Sequence, residues 1–208
     1  MARPSKNILS RESIASAAIG MLRKGRQFTI AGLAQELGVH PSSLYHHVPG
    51  GRTEIIDLIR AELYRSIDLE TLRDKSRRWE ERLALWAQEY RRATAAAPWL
   101  VPLMAGQPVE DRLTQELYEV LFQLLRQAGL PEADWTSAAT MFDVIVLGSA
   151  VDAASPVPLW RSVPPELPLL AGAVARYDTE ERKLQGFSMA VRAAVAMVCS
   201  CTDSAAAE

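Results

Sequence analysis

The chain is short of cysteine and histidine, and each shortage removes a class of chemistry. Its two cysteines, Cys199 and Cys201, stand two residues apart near the end of 208. They cannot staple distant segments, which fits a reducing compartment. The three histidines, His40, His46 and His47, fall in one short stretch, so nothing after them can host a Ser/His or Cys/His pair within itself. No P-loop, GxGxxG, GxSxG or HExxH motif occurs. An all-α enzyme would need a site assembled across domains, and no enzymatic activity or cofactor is expected. Long apolar runs are missing too: no window approaches the roughly 18 to 20 uninterrupted apolar residues that span a bilayer, and MARPSKNILSRES lacks the apolar centre of a secretory signal. A cytoplasmic protein without a membrane partner is expected.

Charge is present but unevenly placed. The net charge is −2, yet residues 1–60 hold eight Lys/Arg against four acids, while the remainder holds 15 basic and 21 acidic residues. A basic end on an acidic body favours contact of that end alone with a polyanion.

Helical spacing dominates the whole chain. Ser10 can cap a helix carrying Ile14, Ala17, Ala18, Met21 and Leu22, with Gly25 closing it. Thr29 can cap the next, where Ile30, Leu33, Ala34 and Leu37 share a face, and Gly38 ends it. Pro41 suits the first turn of a third, short helix, because its missing N–H would be unsatisfied there anyway. In that helix Leu44 and Val48 face inward and Ser42, Ser43, Tyr45 and His46 outward. Two short helices joined by a glycine-containing turn make a helix-turn-helix, whose second helix can enter a major groove.

These residues carry a family resemblance. FTIAGLAQELGVHPSSLYHHV, followed by RTEIIDLI, resembles the DNA-binding domain of the TetR family of bacterial transcriptional regulators over roughly residues 8–60. LYHHV and IIDL extend the likeness more weakly to the tetracycline-repressor branch. The resemblance implies that Thr29 and Tyr45 hold phosphates, that Pro41, Ser42, Ser43 and His46 face the groove, and that Arg52 meets the DNA backbone at the start of helix four. Two departures are visible: His40 opens the recognition helix where a small polar or acidic residue is usual, and VPGGRTE is one residue longer. Gly50 and Gly51 there would let the backbone approach a phosphate. His40, like His46, is expected to reach DNA. A metal site on the three histidines is disfavoured, because no thiolate or acid lies within the turn and His46 and His47 point about 100° apart on a helix.

From Thr53 onward the chain reads as stacked amphipathic helices, giving an all-α fold: a helix-turn-helix DNA-binding domain (1–51) and a helical ligand-binding and dimerisation domain (52–208). Helix four is expected to carry Ile55, Ile56, Ile59, Leu63 and Ile67. Residues 133–154 and 179–200, rich in Ala, Gly and Ser, are expected to form a four-helix dimer interface, the second opening with Asp178 and Glu181 as a capping pair. Between them, ASPVPLWRSVPPELPLLAGAVARYD holds five of the chain's twelve prolines. It reads as a flap or connector regaining a helical turn after Pro165, with Trp160 closing on a ligand or on the partner chain.

The resemblance further implies a ligand cavity in the body. Trp86, Tyr90, Trp99, Met104, Tyr118, Phe122, Met141 and Phe142 supply aromatic and soft side chains for it, although such stripes are more often plain core. With Asp143, Gln123 and Thr140 the only polar exceptions, an apolar or aromatic effector is expected. The expected partners are a double-stranded operator, that effector and a second copy of the chain. A helix-turn-helix regulator controlled by a protein partner is the main alternative.

Overall fold

The computed structural model describes residues 9–104, 106–156, 160, 162–175 and 179–205. Among them there is no strand, and the all-α expectation holds. Contacts divide the chain into two compact units, Met1–Ser66 with Trp99–Leu117, and Ile67–Pro98 with Tyr118–Glu208.

The first unit opens with α1 (Arg11–Arg23), capped by Ser10 in a reciprocal box with Ser13. Gly25 follows with φ +70°, a conformation that costs an L side chain strain. Next come α2 (Ile30–Leu37), α3 (Pro41–His47) and α4 (Gly51–Tyr64). Their inward residues, among them Ile14, Ala18, Phe28, Leu33, Leu44, Val48, Ile55 and Ile59, form one fully buried core. Burial of this kind contributes roughly 1.5–3 kcal/mol per large aliphatic side chain, so three short helices that would be marginal alone hold together.

Helix four ends earlier than its apolar spacing suggests. It stops at Tyr64, and Ile67, expected on it, lies beyond its end and belongs to the second unit. The reason is local: Asp68 accepts the N–H groups of Glu70 and Thr71 and so caps a separate helix, α5 (Leu69–Arg73), which the sequence reading missed.

The second unit continues with α6 (Trp79–Ala95). After a 3-10 turn at Pro98–Leu100, whose first residue ends the second unit's segment, and the one-turn α7 (Val101–Met104) of the first unit, comes α8 (Arg112–Ala128), whose residues belong to both. Then follow a 3-10 turn at Glu132–Asp134, α9 (Trp135–Ala153), α10 (Pro168–Val174) and α11 (Thr179–Ala205). In this unit α9 packs on both α6 and α11. Lys183, 3% exposed, donates to the carbonyls of Ala153 and Ser155 and so closes the C-terminal end of α9. Asp178, expected to cap α11, lies outside the described residues.

One of the two helices rich in small residues stands apart in composition. The stretch Glu132–Ala153 is apolar and long enough to cross a membrane by composition, with a mean hydropathy of 1.2 in its most apolar window. Its outward Val144 and Val151, with Leu184 and Met189 of α11, are large apolar side chains left exposed.

Candidate nucleic-acid interface and effector site

The recognition helix α3 is built from caps and one anchor. Thr29 Oγ1 accepts the Gly32 N–H at 3.0 Å and starts α2. Gly38, at φ 66° and ψ 32°, ends it in the left-handed region. The Val39 N–H then returns to the Ala34 carbonyl at 2.9 Å, a Schellman-type closure that sets the turn into α3. Pro41 occupies the first turn, and Leu44, fully buried, is the only buried residue of the helix.

Of the eight residues expected at DNA, His40, Pro41, Ser42, Ser43, Tyr45 and His46 lie on this helix or at its cap, Thr29 caps α2 and Arg52 lies in the first turn of α4. Tyr45 is 50% exposed, with its ring edge against Gly51. Ser42, His46 and Thr29 are exposed, while Pro41 and Ser43 are half-buried. His40 is exposed as well, but its ring serves as the helix cap. The Ser42 N–H donates to His40 Nδ1 at 3.3 Å, and the Ser42 hydroxyl lies 2.9 Å from the same nitrogen. The residue that departs from the family pattern thus does the work of the small polar residue it replaces. Arg52 donates to the Phe28 carbonyl at 2.8 Å and lies over the Phe28 ring, 4.8 Å from its centroid. Of the two glycines expected to let the backbone approach a phosphate, Gly50 donates its amide to Glu54 Oε2 at 2.9 Å and Gly51 donates to the Val48 carbonyl at 2.9 Å. Among the described residues no group of histidines, cysteines and acids is placed to hold a metal ion.

Two polar networks in this unit were not legible in the sequence. Arg11 of α1 pairs with Glu54 at 2.6 Å and reaches the His47 carbonyl at 3.4 Å, so the end of α3 is tied to both α1 and α4. Arg60, 3% exposed, binds Asp57, Asp111 at 2.7 Å and the Pro108 carbonyl at 3.1 Å. Asp111 also accepts the Thr114 N–H at 2.8 Å, near the start of α8. Burial pushes the Asp57 carboxyl above the ordinary aspartate value, against the pull of Arg60, and Asp111 pushes the same way.

In the second unit only part of the expected effector lining converges. Trp86 meets Tyr90, Tyr118 and Phe142 edge to face, at centroid distances of 5.2, 6.1 and 6.0 Å. Trp86, Tyr90 and Phe142 are buried and Tyr118 is half-buried. Phe122 is apart from them, stacked on Trp135. Met141 is half-buried on α9. Trp99 and Met104 do not join the group: they pack on the core of the first unit. Aromatic spacing identifies residues that face inward, not which of them meet. Of the polar exceptions, Gln123 and Thr140 are exposed, with bonds to Glu119 and Thr136 on their own helices. Asp143 alone enters the cluster, accepting the Tyr118 hydroxyl at 2.6 Å and a hydrogen bond from Tyr90. A hollow of about 540 Å³ in the first unit is polar, lined by Arg11, Thr53, Glu54, Asp57 and Glu110 among others. One of about 260 Å³ in the second lies between α9 and α11. Neither is lined by any of the eight expected effector residues.

Residues 73–190 match the family model described as the tetracyclin repressor-like C-terminal domain. The chain belongs to the TetR family of transcriptional regulators. This match lies in the body, whereas the sequence resemblance lay in the head, so two separate parts of the chain indicate the same family. An HTH-type transcriptional regulator of Saccharopolyspora erythraea is 30% identical over 159 residues, covering 76% of this chain and 64% of the relative. The HTH-type transcriptional repressor DrrR1 of Streptomyces coeruleorubidus is 31% identical over 119 residues, covering 57% of this chain and 43% of its own. The chain therefore spans less than two thirds of either relative. Among solved structures, the Streptomyces coelicolor TetR family protein ActR in complex with (S)-DNPA superposes with a TM-score of 0.70 at 22% identity, covering 91% of this chain and 98% of that one. That likeness places the fold. A TetR family member is a regulator and not an enzyme.

Proposed function

We propose that this TetR family chain is a homodimeric, cytoplasmic repressor that binds a pseudo-palindromic operator and releases it when a small molecule occupies the body. The observation that carries the reading is the division of labour on α3. Leu44 holds the helix in the core, while Ser42, Tyr45 and His46 are exposed on a segment with surplus positive charge. A single short helix contacts too few bases to be selective, so two copies about one DNA turn apart, roughly 34–36 Å, are required. The exposed Val144, Val151, Leu184 and Met189 on α9 and α11 supply a surface on which a second copy would pack. We read Glu132–Ala153 as such an interface helix.

Thr29, Tyr45 and Arg52 are assigned to phosphates, and His40, Pro41, Ser42, Ser43 and His46 to the groove. Trp86, Tyr90, Tyr118 and Phe142 mark the effector site. An effector that prefers the released state weakens DNA binding by its own preference between states, typically ~1 to 3 kcal/mol. That the ActR complex contains a small molecule supports a ligand-responsive body in this fold.

The test is selection of bound duplexes from a random library, followed by titration of the winner and a scrambled duplex at two salt concentrations. An enriched inverted repeat with a large specificity ratio is expected. Equal and steeply salt-dependent binding to both duplexes would reduce the head to a basic patch. Control by a protein partner instead of a small molecule predicts that no compound in a thermal-shift screen raises the melting point.

A further inference from the structure

The imidazole of His40 has two distinct nitrogens, and the cap at the start of α3 decides what each of them can do. Nδ1 lies 3.3 Å from the Ser42 backbone nitrogen. A backbone N–H only donates, so Nδ1 is the bare, accepting nitrogen of the ring. The Ser42 hydroxyl, 2.9 Å from the same nitrogen, then donates to it as well. A neutral imidazole carries one ring proton, which for His40 sits on Nε2: the cap selects the tautomer.

The two ring nitrogens point in divergent directions, so with Nδ1 turned to the first turn of α3 the Nε2–H is directed away from the helix. His40 is exposed, and among the described residues Nε2 has no hydrogen-bond partner. The backbone is constrained too. Pro41 restricts the residue before it to extended conformations, and His40 lies at φ −76° and ψ 144°. A donor held in place before DNA arrives has little side-chain freedom left to lose on binding.

In a helix-turn-helix the N-terminal residues of the second helix meet base edges. A single N–H donor there discriminates by what each base shows in the major groove. Guanine presents two adjacent acceptors, N7 and O6. Adenine sets an N6 donor beside its N7, thymine a methyl group beside its O4, and cytosine offers only a donor. An aspartate in place of His40 would cap the helix equally well and present no donor at all.

We propose that His40 is a base reader as well as a cap, and that its Nε2–H donates to a guanine in each operator half-site. The inference rests on the reading of the head as an operator-binding domain and names a base that this domain selects.

His40→Ser separates the two roles, because serine caps a helix through its hydroxyl but is too short to carry a donor as far as the imidazole does. The unaltered chain and the variant are compared on the selected operator and on a panel in which each base pair is changed in turn. The unaltered chain is expected to prefer guanine at one half-site position by about tenfold. The variant is expected to lose that preference and keep those at the other positions. A second measurement needs no variant: nitrogen NMR of the histidine-labelled, DNA-free chain at about pH 8, where an ordinary imidazole is neutral, should find the His40 proton on Nε2. A proton on Nδ1 overturns the proposal whether or not the variant folds. Unchanged preferences at every position in His40→Ser overturn it, and so does the loss of a preference for a base other than guanine. If no duplex is enriched, the operator reading falls and takes this inference with it. If an operator is enriched and the variant reads it unchanged, this inference alone falls.

Discussion

Arg60 Nε lies 2.7 Å from Asp111 Oδ2, and both side chains are more than nine-tenths buried. The same guanidinium also serves Asp57 and the Pro108 carbonyl, so one cation satisfies two buried carboxylates inside the first unit. Removing it strands both. Arg60→Ala is expected to destabilise the protein by about 3–5 kcal/mol, read by guanidinium denaturation. Asp57→Asn should cost much less, because burial already disfavours that charge. Equal losses would show that packing, not charge, is what Arg60 contributes.

The roles on α3 separate by how they change binding. Tyr45→Phe should weaken binding to all duplexes alike, since a phosphate contact carries no base identity. Ser43→Ala or His46→Ala should cost about 1–3 kcal/mol on the preferred operator and relax preference at one position. Binding curves on a panel of single-base operator variants distinguish the two patterns, and their exchange would reverse the assignments.

Asp143 makes stability depend on pH in a defined direction. Its folded-state carboxyl titrates above the ordinary aspartate range, so between that range, about 4, and the raised value the folded chain binds more protons than the unfolded one. Stability therefore falls as pH rises through that window. Asp143→Asn should melt higher than the parent at neutral pH, and the gain should vanish in melting curves taken below the window. A variant that melts lower at every pH would mean that the tyrosine hydrogen bonds outweigh the burial of the charge.

Leu184→Glu combined with Met189→Glu places two charges on the exposed apolar stripe of α11. Sedimentation should show the mass halved, and operator affinity should fall with it, while the circular dichroism of the helices is kept. A retained dimer mass would locate the interface elsewhere.

How much the sequence revealed depended on the range of the interactions. Ser10, Thr29, Gly38 and Pro41 announced their roles because a cap or turn residue is read within four positions of the chain, and the structure places each where the spacing put it. Leu44 and Val48 were legible for the same reason. Helix four was drawn too long because apolar spacing continues through Ile67, while the signal that ends the helix is the capping side chain of Asp68 beyond it. The contacts of Arg11 with Glu54, of Arg60 with Asp111 and of Tyr118 with Asp143 span 43, 51 and 25 positions. Nothing local in a sequence marks such a pair, so the effector lining was only partly assembled by reasoning from spacing. Trp99 and Met104 have the composition of a ligand pocket and the location of a core.

The arrangement of α3 has a consequence for how such a protein diversifies. Within the helix only Leu44 is buried, and the outward side chains of Ser42 and His46 lie outside that core. Exposed positions of the helix such as His46 are therefore open to replacement at little cost in folding. A new operator can be addressed first by rewriting His46, while the effector chemistry of the body is inherited unchanged.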